Sequence, residues 1–411
     1  MSDSRERAQP VAVGPPRRVR SRAERIRAER GRRRRRVALG LAVGLLIVVV
    51  LAAVFIGSRM WHSFGSQNDY AGDGKQDLVI QVHAGDSTTA IGETLHKQDV
   101  VRTVKAFLEA ADGNEAISSI QPGYYRLRTE IPAASAVKRL ADPQSRVGKV
   151  VIPEGQQLDD TTDVKTNDVT PGIFTMISRA SCVDLDGDKR CVSADDLRAA
   201  AEKTPLASLS VPAWAVEPAT RMGANHRRIE GLIAPGTFNV NPSGSPQTIL
   251  ETLISASTQQ YVKSGLLDTA TAMNMSPYNV LVVASLVQRE AKPQDFAKVA
   301  RVIYNRLAEH RTLEFDSTVN YPLDRREVAT TDADRAQQTP WNTYVSDGLP
   351  ATPICSPGAD ALRAAEHPED GDWLYFVTID AQGTTLFTRD YQQHLANIEL
   401  AKRNGVLDSA R

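Results

Sequence analysis

A single carboxylate interrupts an apolar helical pattern in the last third of the chain. The stretch 282–307 reads VVASLVQREAKPQDFAKVARVIYNRL, and its apolar residues recur at helical spacing, which predicts two helices broken near Pro293. Glu290 follows Leu286 and Val287 by four and three residues, so the pattern places its charge on the face that packs into the core. An apolar surrounding and the C-terminal end of a helix dipole both disfavour an anion, so we expect a raised pKa for Glu290, as a general acid requires.

The residues alone leave a second interpretation of Glu290 open. A carboxylate at the end of a helix can also turn outward to water or pair with a neighbouring cation, here Arg289 or Lys292. Gln288, two residues earlier, points to the opposite face of the same helix. Spacing alone does not decide whether Glu290 is a catalytic acid or a solvated carboxylate.

Six blocks in this part of the chain resemble, in order and approximate spacing, the YceG-like family of endolytic murein transglycosylases. They are ASLVQRE, VIYNRL, LEFDSTVNY, TPWNTYVSDGLPATPI, SPGADALRAA and WLYFV, within a resemblance that covers roughly residues 78–400 and includes EGLIAPGTF at 230–238. The family cleaves the β-1,4 bond between N-acetylmuramic acid and N-acetylglucosamine in peptidoglycan and leaves a 1,6-anhydromuramyl end. The resemblance implies that Glu290 is the catalytic acid.

The resemblance also implies one catalytic carboxyl that acts twice. Ordinary glycosidases use two carboxyl groups. Here the C6 hydroxyl of the sugar can replace water, so Glu290 would first protonate the leaving oxygen and then accept the hydroxyl proton. Glu230, in the Glu-Gly block of the family, is the best second carboxylate and could orient Glu290 or a sugar. A buried structural hydrogen bond is an equal alternative for Glu230.

Further cleft residues follow from the resemblance block by block. Gln288 stands where many relatives carry an acid, and we expect it to be structural or to hydrogen-bond to substrate. Trp341 stands where Tyr is usual and could stack on a sugar face. For the others, stabilisation of a turn is the alternative to ligand contact, because Asp, Asn and Thr also cap backbone groups. These candidates are Asn305, Asp316, Thr318, Tyr321, Asn342 and Tyr344.

The sequence predicts no catalytic metal, and the proposed chemistry needs no cofactor. The seven His are scattered without the spacing of metal ligands. Asp184, Asp186 and Asp188 alternate as calcium ligands do, but the stretch lacks the glycine and the terminal Glu of a standard calcium loop. A solvated turn is therefore the favoured interpretation.

The three cysteines are too few for a disulfide scaffold. Cys182 and Cys191 bracket the polar stretch VDLDGDKR and could form a local disulfide outside the cytoplasm. Cys355 is left over.

The elements around these residues predict an α+β fold. From residue 78, LVIQVHAGDSTTAIGETLHKQDVV indicates a strand, a turn that can cap, and a helix, and a second helix and the strand IQPGYYRLRT follow. This module, 78–142, resembles a LysM-like domain, with a generic α+β subdomain as the alternative. A connecting region, 143–225, precedes a mixed, helix-rich catalytic domain, 226–405. In that domain Ser276 and Pro277 should begin the helix that carries Glu290.

The N-terminal end differs from the rest of the chain in its charge and in its apolar content. Residues 1–36 hold fourteen Arg against four acidic residues, a balance of +10, and an uncharged apolar run of transmembrane length follows at 37–57. Because basic flanks stay in the cytoplasm, we predict a single transmembrane helix with the N-terminus inside, a linker at 58–77 and the remainder outside. The Arg-rich tail lacks interleaved aromatic residues. This favours a role in setting membrane topology and in contact with anionic lipid over binding of nucleic acid.

These observations predict a membrane-anchored enzyme of the plasma membrane that acts on the glycan strands of nascent peptidoglycan. A hydrolase of the same bond is one alternative, because the residues alone do not separate attack by water from attack by the sugar hydroxyl. A non-catalytic scaffold that binds glycan through the LysM-like module is another. Partnership with peptidoglycan synthases is an expectation from the resemblance only.

Overall fold

The computed structural model describes residues 45–54, 69–323, 325–326 and 330–406. The chain divides into two compact units, 1–69 and 70–411. In the first unit, residues 45–54 are helical and exposed. Within the described segments, no helix has the length and apolar character needed to span a bilayer. The rest of the predicted span 37–57, the Arg-rich tail and most of the linker lie outside those segments.

The second unit begins with a small module that has its own core. Its elements are β1 (Asp77–Val82), α1 (Thr88–Lys97), α2 (Val104–Ala111), β2 (Gly123–Arg128), α3 (Ala133–Ala141) and β3 (Arg146–Val147). The strands form an antiparallel sheet in the order β1-β2-β3. Ser87 and Thr103 cap α1 and α2 with side-chain hydrogen bonds, and Leu95, Phe107 and Leu127 are fully buried in the core. The predicted strand–helix–helix–strand order is confirmed, and the LysM-like assignment stays a prediction.

The connecting region contributes short strands and helices to the larger core. Its elements are β4 (Lys149–Ile152), β5 (Thr161–Asp163), β6 (Val169–Thr170), α4 (Ile173–Ala180), β7 (Val183–Leu185), β8 (Asp188–Arg190), α5 (Ala194–Lys203) and α6 (Ala213–Arg221). Strand β4 pairs antiparallel with β9 (Gly236–Asn239). One hydrophobic core runs from residue 150 to residue 365, so this region and the predicted catalytic domain pack as one body.

The β7–β8 hairpin is closed by a disulfide between Cys182 and Cys191, as the sequence predicted. The hairpin touches the small module, because the Asp77 N–H donates to Oδ2 of Asp186 over 2.8 Å. Cys355 lies in the main core and is fully buried.

The predicted catalytic domain is built around one central helix. Its elements before the turn-rich segment are α7 (Pro246–Ser264), α8 (Leu266–Ala272), α9 (Pro277–Glu290) and α10 (Phe296–Ala308). Ser276 caps α9 and Pro277 occupies its first turn, as predicted. Every residue of α9 from Val280 to Val287 is buried, and a helix that is apolar all round must be enclosed by its neighbours.

The turn-rich segment and the C-terminal elements surround the two ends of α9. They are α11 (Asp316–Asn320), β10 (Arg325–Arg326), α12 (Asp332–Arg335), α13 (Ala359–Glu366), β11 (Tyr375–Thr378), β12 (Thr385–Thr388) and α14 (Tyr391–Arg403). Strand β10 runs parallel to β5, and β11 and β12 form the predicted antiparallel pair. Helix α13 packs against both α9 and α10.

Candidate active site

Helix α9 ends at Glu290, where the sequence placed the break. Pro293 disfavours helical backbone in the residue before it, and Ala291 and Lys292 are extended. The Glu290 side chain is partly buried. It forms no ion pair with Lys292, whose ammonium group donates instead to the carbonyl of Gln382 over 3.1 Å. Within the described residues Glu290 forms no ion pair with Arg289 either, although the charge of Arg289 acts to lower its pKa.

The carboxyl group of Glu290 faces the first turn of α11. Burial raises the pKa of Glu290 to about 7. The hydroxyl and main-chain N–H of Ser317 act in the opposite direction, and the negative charge of Asp316 raises the pKa further. The Ser317 hydroxyl is buried and makes no regular hydrogen bond within the described residues. Close to neutral pH, Glu290 can therefore both lose and regain a proton.

Asp316, next to Ser317, is held as an anion by three donors. Its Oδ1 accepts hydrogen bonds from the Tyr344 hydroxyl at 2.6 Å and the Thr330 hydroxyl at 2.7 Å. Arg335 donates from Nε to Oδ1 and from Nη2 to Oδ2, both over 3.3 Å. Burial alone would raise the pKa of Asp316, but these hydrogen bonds outweigh it and lower the pKa. Glu290, with a raised pKa, is therefore suited to act as an acid, and Asp316, with a lowered pKa, is suited to supply a fixed negative charge beside it.

The donors to Asp316 are themselves held in place. The guanidinium of Arg335 lies over the Tyr344 ring, 5.2 Å from its centroid, which is within cation–π range. Arg335 Nε also donates to the Thr330 hydroxyl over 2.9 Å. Its carbonyl accepts from Nδ2 of Asn342 over 2.9 Å, which fixes the end of α12. Asp316 therefore has little freedom to turn away from α9.

Two carried-over residues, Glu230 and Tyr321, form a pair in the core. The Tyr321 hydroxyl donates to Oε2 of Glu230 over 2.7 Å, and Glu230 is only 1% exposed. Arg227 lies over the Tyr321 ring on the other side and donates to Asp159. Of the two interpretations of Glu230, this arrangement matches the buried structural hydrogen bond.

The remaining candidates support loops around Glu290. Thr318 and Asn342 are buried and hydrogen-bond to neighbouring turns. Gln288 accepts from the Gly358 N–H over 2.8 Å at the start of α13. Asn305 donates to the carbonyls of Gly371 and Trp373 ahead of β11. These contacts match the alternative of turn stabilisation that the sequence left open.

Trp341 lies in the core. It is 4% exposed, donates from Nε1 to the Thr352 hydroxyl over 2.8 Å and packs edge-on against Tyr321. The expectation of a sugar-stacking ring was wrong because the larger indole fills the core beside Tyr321.

Sequence reasoning missed three residues near Glu290. Ser317 lies within the LEFDSTVNY block, so that block could have indicated it. Thr330 and Arg335 lie in the loop between two blocks, where neither periodicity nor the resemblance marks them. In the described part of the chain, no group of three or more His, Cys, Asp or Glu is arranged to hold a metal ion.

Comparison with known proteins finds a matching family model, similar sequences and a similar fold. The sequence model of the YceG-like family matches residues 80–400. A Bacillus subtilis protein named endolytic murein transglycosylase is 28% identical over 78% of this chain and 84% of its own length. A protein of the same name from Streptococcus pneumoniae is 25% identical over 79% of this chain and 58% of its own. The crystal structure of a yceG-like protein from Listeria monocytogenes shares the fold, with a TM-score of 0.50 and 24% identity over 78% of this chain and 98% of that one.

Proposed function

The chain belongs to the YceG-like family, and on that premise we propose that it is an endolytic transglycosylase of peptidoglycan, a lyase that acts on a polysaccharide. The family match and the relatives named endolytic murein transglycosylase support this activity. The position of Glu290 is the observation that supports placing the active site here. Its carboxyl, with a pKa of about 7, faces an ionised Asp316 at the end of a buried helix.

In the proposed first step, Glu290 donates its proton to the glycosidic oxygen between N-acetylmuramic acid and N-acetylglucosamine. The bond from C1 of muramic acid to that oxygen breaks, the electron pair leaves with the oxygen, and positive charge develops at C1. The carboxylate of Asp316 is the group that we propose to stabilise this charge, because Arg335, Thr330 and Tyr344 keep it ionised.

In the second step, Glu290 is a carboxylate and accepts the proton of the C6 hydroxyl of the same muramic acid. The C6 oxygen attacks C1 and closes the 1,6-anhydro ring, so no water is consumed and Glu290 regains its proton. A pKa near the working pH suits a group that must give and take a proton in one cycle.

We assign different roles to the other candidate residues. Tyr344, which is partly exposed, is proposed to contact substrate as well as Asp316. Gln288 and Asn305 are also partly exposed and could offer substrate contacts at their outer edges. Buried residues are proposed to act only by supporting the loops, and these are Glu230, Thr318, Tyr321 and Asn342.

The proposal includes a single-pass anchor at 37–57 with the N-terminus in the cytoplasm. The support is the sequence alone: an uncharged apolar run follows directly after a cluster of Arg. An enzyme anchored in this way would cleave nascent glycan strands near the membrane surface. Glycan binding by the LysM-like module and partnership with peptidoglycan synthases are further parts of the proposal that rest on the resemblance.

Mass spectrometry of the products tests the function directly. Purified enzyme should release fragments from glycan strands whose muramic acid ends are lighter than reducing ends by one water. Reducing ends would indicate a hydrolase instead. Intact strands after incubation with folded protein, together with retained glycan binding, would indicate a scaffold.

A further inference from the structure

A cavity of about 440 Å³ lies among α7, α13 and the loop after β4. Its apolar walls come from Ala234, Pro235 and Leu362. The carboxyl groups that line it belong to Glu154, in the loop, and Glu366, in the last turn of α13. The volume is within the range of small-molecule pockets.

Glu366 is a buried carboxyl without its full set of partners. The residue is 5% exposed, and its Oε1 has no hydrogen-bond partner among the described residues. Burial raises the pKa of Glu366 to about 7. A buried acceptor without a donor is unfavourable, so a ligand group that donates a hydrogen bond to this carboxyl would be favoured here.

Neither carboxyl group of the cavity forms an ion pair within the described residues. Glu154 is exposed, enters no ion pair within the described residues, and lies so close to Gly358 that a Cβ there would come within 2.2 Å of its carboxyl carbon. The lining also holds His367 and Arg363; Arg363 pairs with Asp360 at 2.6 Å, and its charge acts to lower the pKa of Glu366.

We infer that this cavity binds an alkylammonium group, with the alkyl chain against the apolar walls and the ammonium group between Glu154 and Glu366. If the proposed function holds, on which this identification rests, the ligand is the side chain of a diamino acid in the peptide stem of peptidoglycan. The cavity wall is joined to the catalytic helix, since the Gly358 N–H donates to Gln288, two residues before Glu290.

Binding of two tripeptides tests the inference without any glycan cleavage. The probes are L-Ala-γ-D-Glu-L-Lys and the same peptide with its ε-amine acetylated, titrated into the full chain by calorimetry. We expect the free amine to bind at least about tenfold more tightly, because acetylation removes the charge and its charge-assisted hydrogen bonds. Glu366→Gln and Glu154→Gln should each reduce this preference. Glu251→Gln, an exposed carboxyl of α7 outside the cavity, is the matched control and should leave it unchanged.

Equal affinity for the two peptides, or a preference that survives both substitutions, would overturn the inference. If Glu366→Gln does not fold, the exposed Glu154→Gln still decides the question. Preferred binding of the amine by a protein that releases no anhydro-ended fragments would retain the cavity assignment and refute the proposed function. Release of anhydro-ended fragments by a protein that shows no preference for the free amine would refute the cavity assignment and retain the proposed function.

Discussion

The hydroxyl of Tyr321 donates a hydrogen bond to Oε2 of Glu230 over 2.7 Å, inside the core. The Leu158 N–H donates to the same oxygen over 3.2 Å, whereas Oε1 has no partner among the described residues. Burial raises the pKa of Glu230 to about 7, although the hydrogen bonds from Tyr321 and Leu158 act to lower it. Glu230 thus joins the segments of Leu158 and Tyr321 in the core and is 1% exposed.

Glu230→Gln should stabilise the protein at pH 8 and have little effect at pH 5. The pKa of Glu230 in the folded state is above its unfolded value, so folding binds a proton and the free energy of unfolding falls as pH rises from about 4.5 to about 7. Gln accepts the same hydrogen bonds and does not ionise, which removes a penalty of up to about 3 kcal/mol above pH 7. Urea unfolding at the two pH values measures the difference.

The exposed Glu251→Gln serves as the control for that experiment and should change stability little at either pH. A gain for Glu230→Gln that is equal at pH 5 and pH 8 would contradict ionisation as its cause.

Periodicity was sufficient to predict the local elements that carry Glu290. The apolar run, the Ser276 cap and the break before Pro293 each depend on a few neighbouring residues, and all three are confirmed. The raised pKa of Glu290 was also predicted, because burial on an apolar helix face follows from spacing.

Contacts between distant residues could not be predicted in the same way. Glu230 and Tyr321 are 91 positions apart, and nothing in either local pattern indicates that they meet. Arg335 reaches Asp316 from the end of α12, whose position relative to α11 depends on tertiary packing. For such residues the sequence supplied candidates, and tertiary structure decided whether each side chain faces substrate or another loop.

Loss of the disulfide should loosen the β7–β8 hairpin and its contact with the small module. Asp186 of the hairpin accepts from the Asp77 N–H, and Arg126 donates to the Asp184 carbonyl over 3.1 Å. In a variant with both cysteines replaced by Ser, we expect faster hydrogen exchange at residues 183–190 and at Asp77. Because the closed loop is short, the global free energy of unfolding should fall by no more than about 3 kcal/mol. Unchanged exchange at the hairpin would contradict this role.

The predicted topology can be tested by protease protection. Because the Arg cluster precedes the apolar run, a protease added outside intact spheroplasts should degrade the chain beyond residue 58 and spare an N-terminal tag. Lysed spheroplasts are the control, since there the tag should be lost. Loss of the tag from intact spheroplasts would refute the topology.

Glu290→Gln should abolish cleavage while the fold is retained. Gln preserves size and hydrogen bonding but has no transferable proton, and the same carboxyl is proposed to act in both steps. The rate of anhydro-end formation should therefore fall by more than the roughly 10²–10⁴-fold typical of general acid catalysis. Glu251→Gln is the matched control and should cleave at the wild-type rate. A Glu290→Gln protein that unfolds normally and still cleaves at near the wild-type rate would show that another group is the acid.

Asp316→Asn should lower the rate and also shift its dependence on pH. The first step needs protonated Glu290, so the wild-type rate should fall as pH rises through about 7. The charge of Asp316 helps to raise the pKa of Glu290, so Asn at this position should move that fall in rate to lower pH. The maximal rate should drop by about 10²-fold if the carboxylate also stabilises charge at C1.

Asp332→Asn is the matched control for this measurement. Asp332 is exposed and also lies near Arg335, at 3.7 Å, but it makes no contact with Asp316. Its replacement should leave the pH profile in place. If Asp316→Asn lowers the rate without moving the pH at which activity is lost, Asp316 acts only by holding Tyr344 and Arg335, and its proposed electrostatic role is wrong.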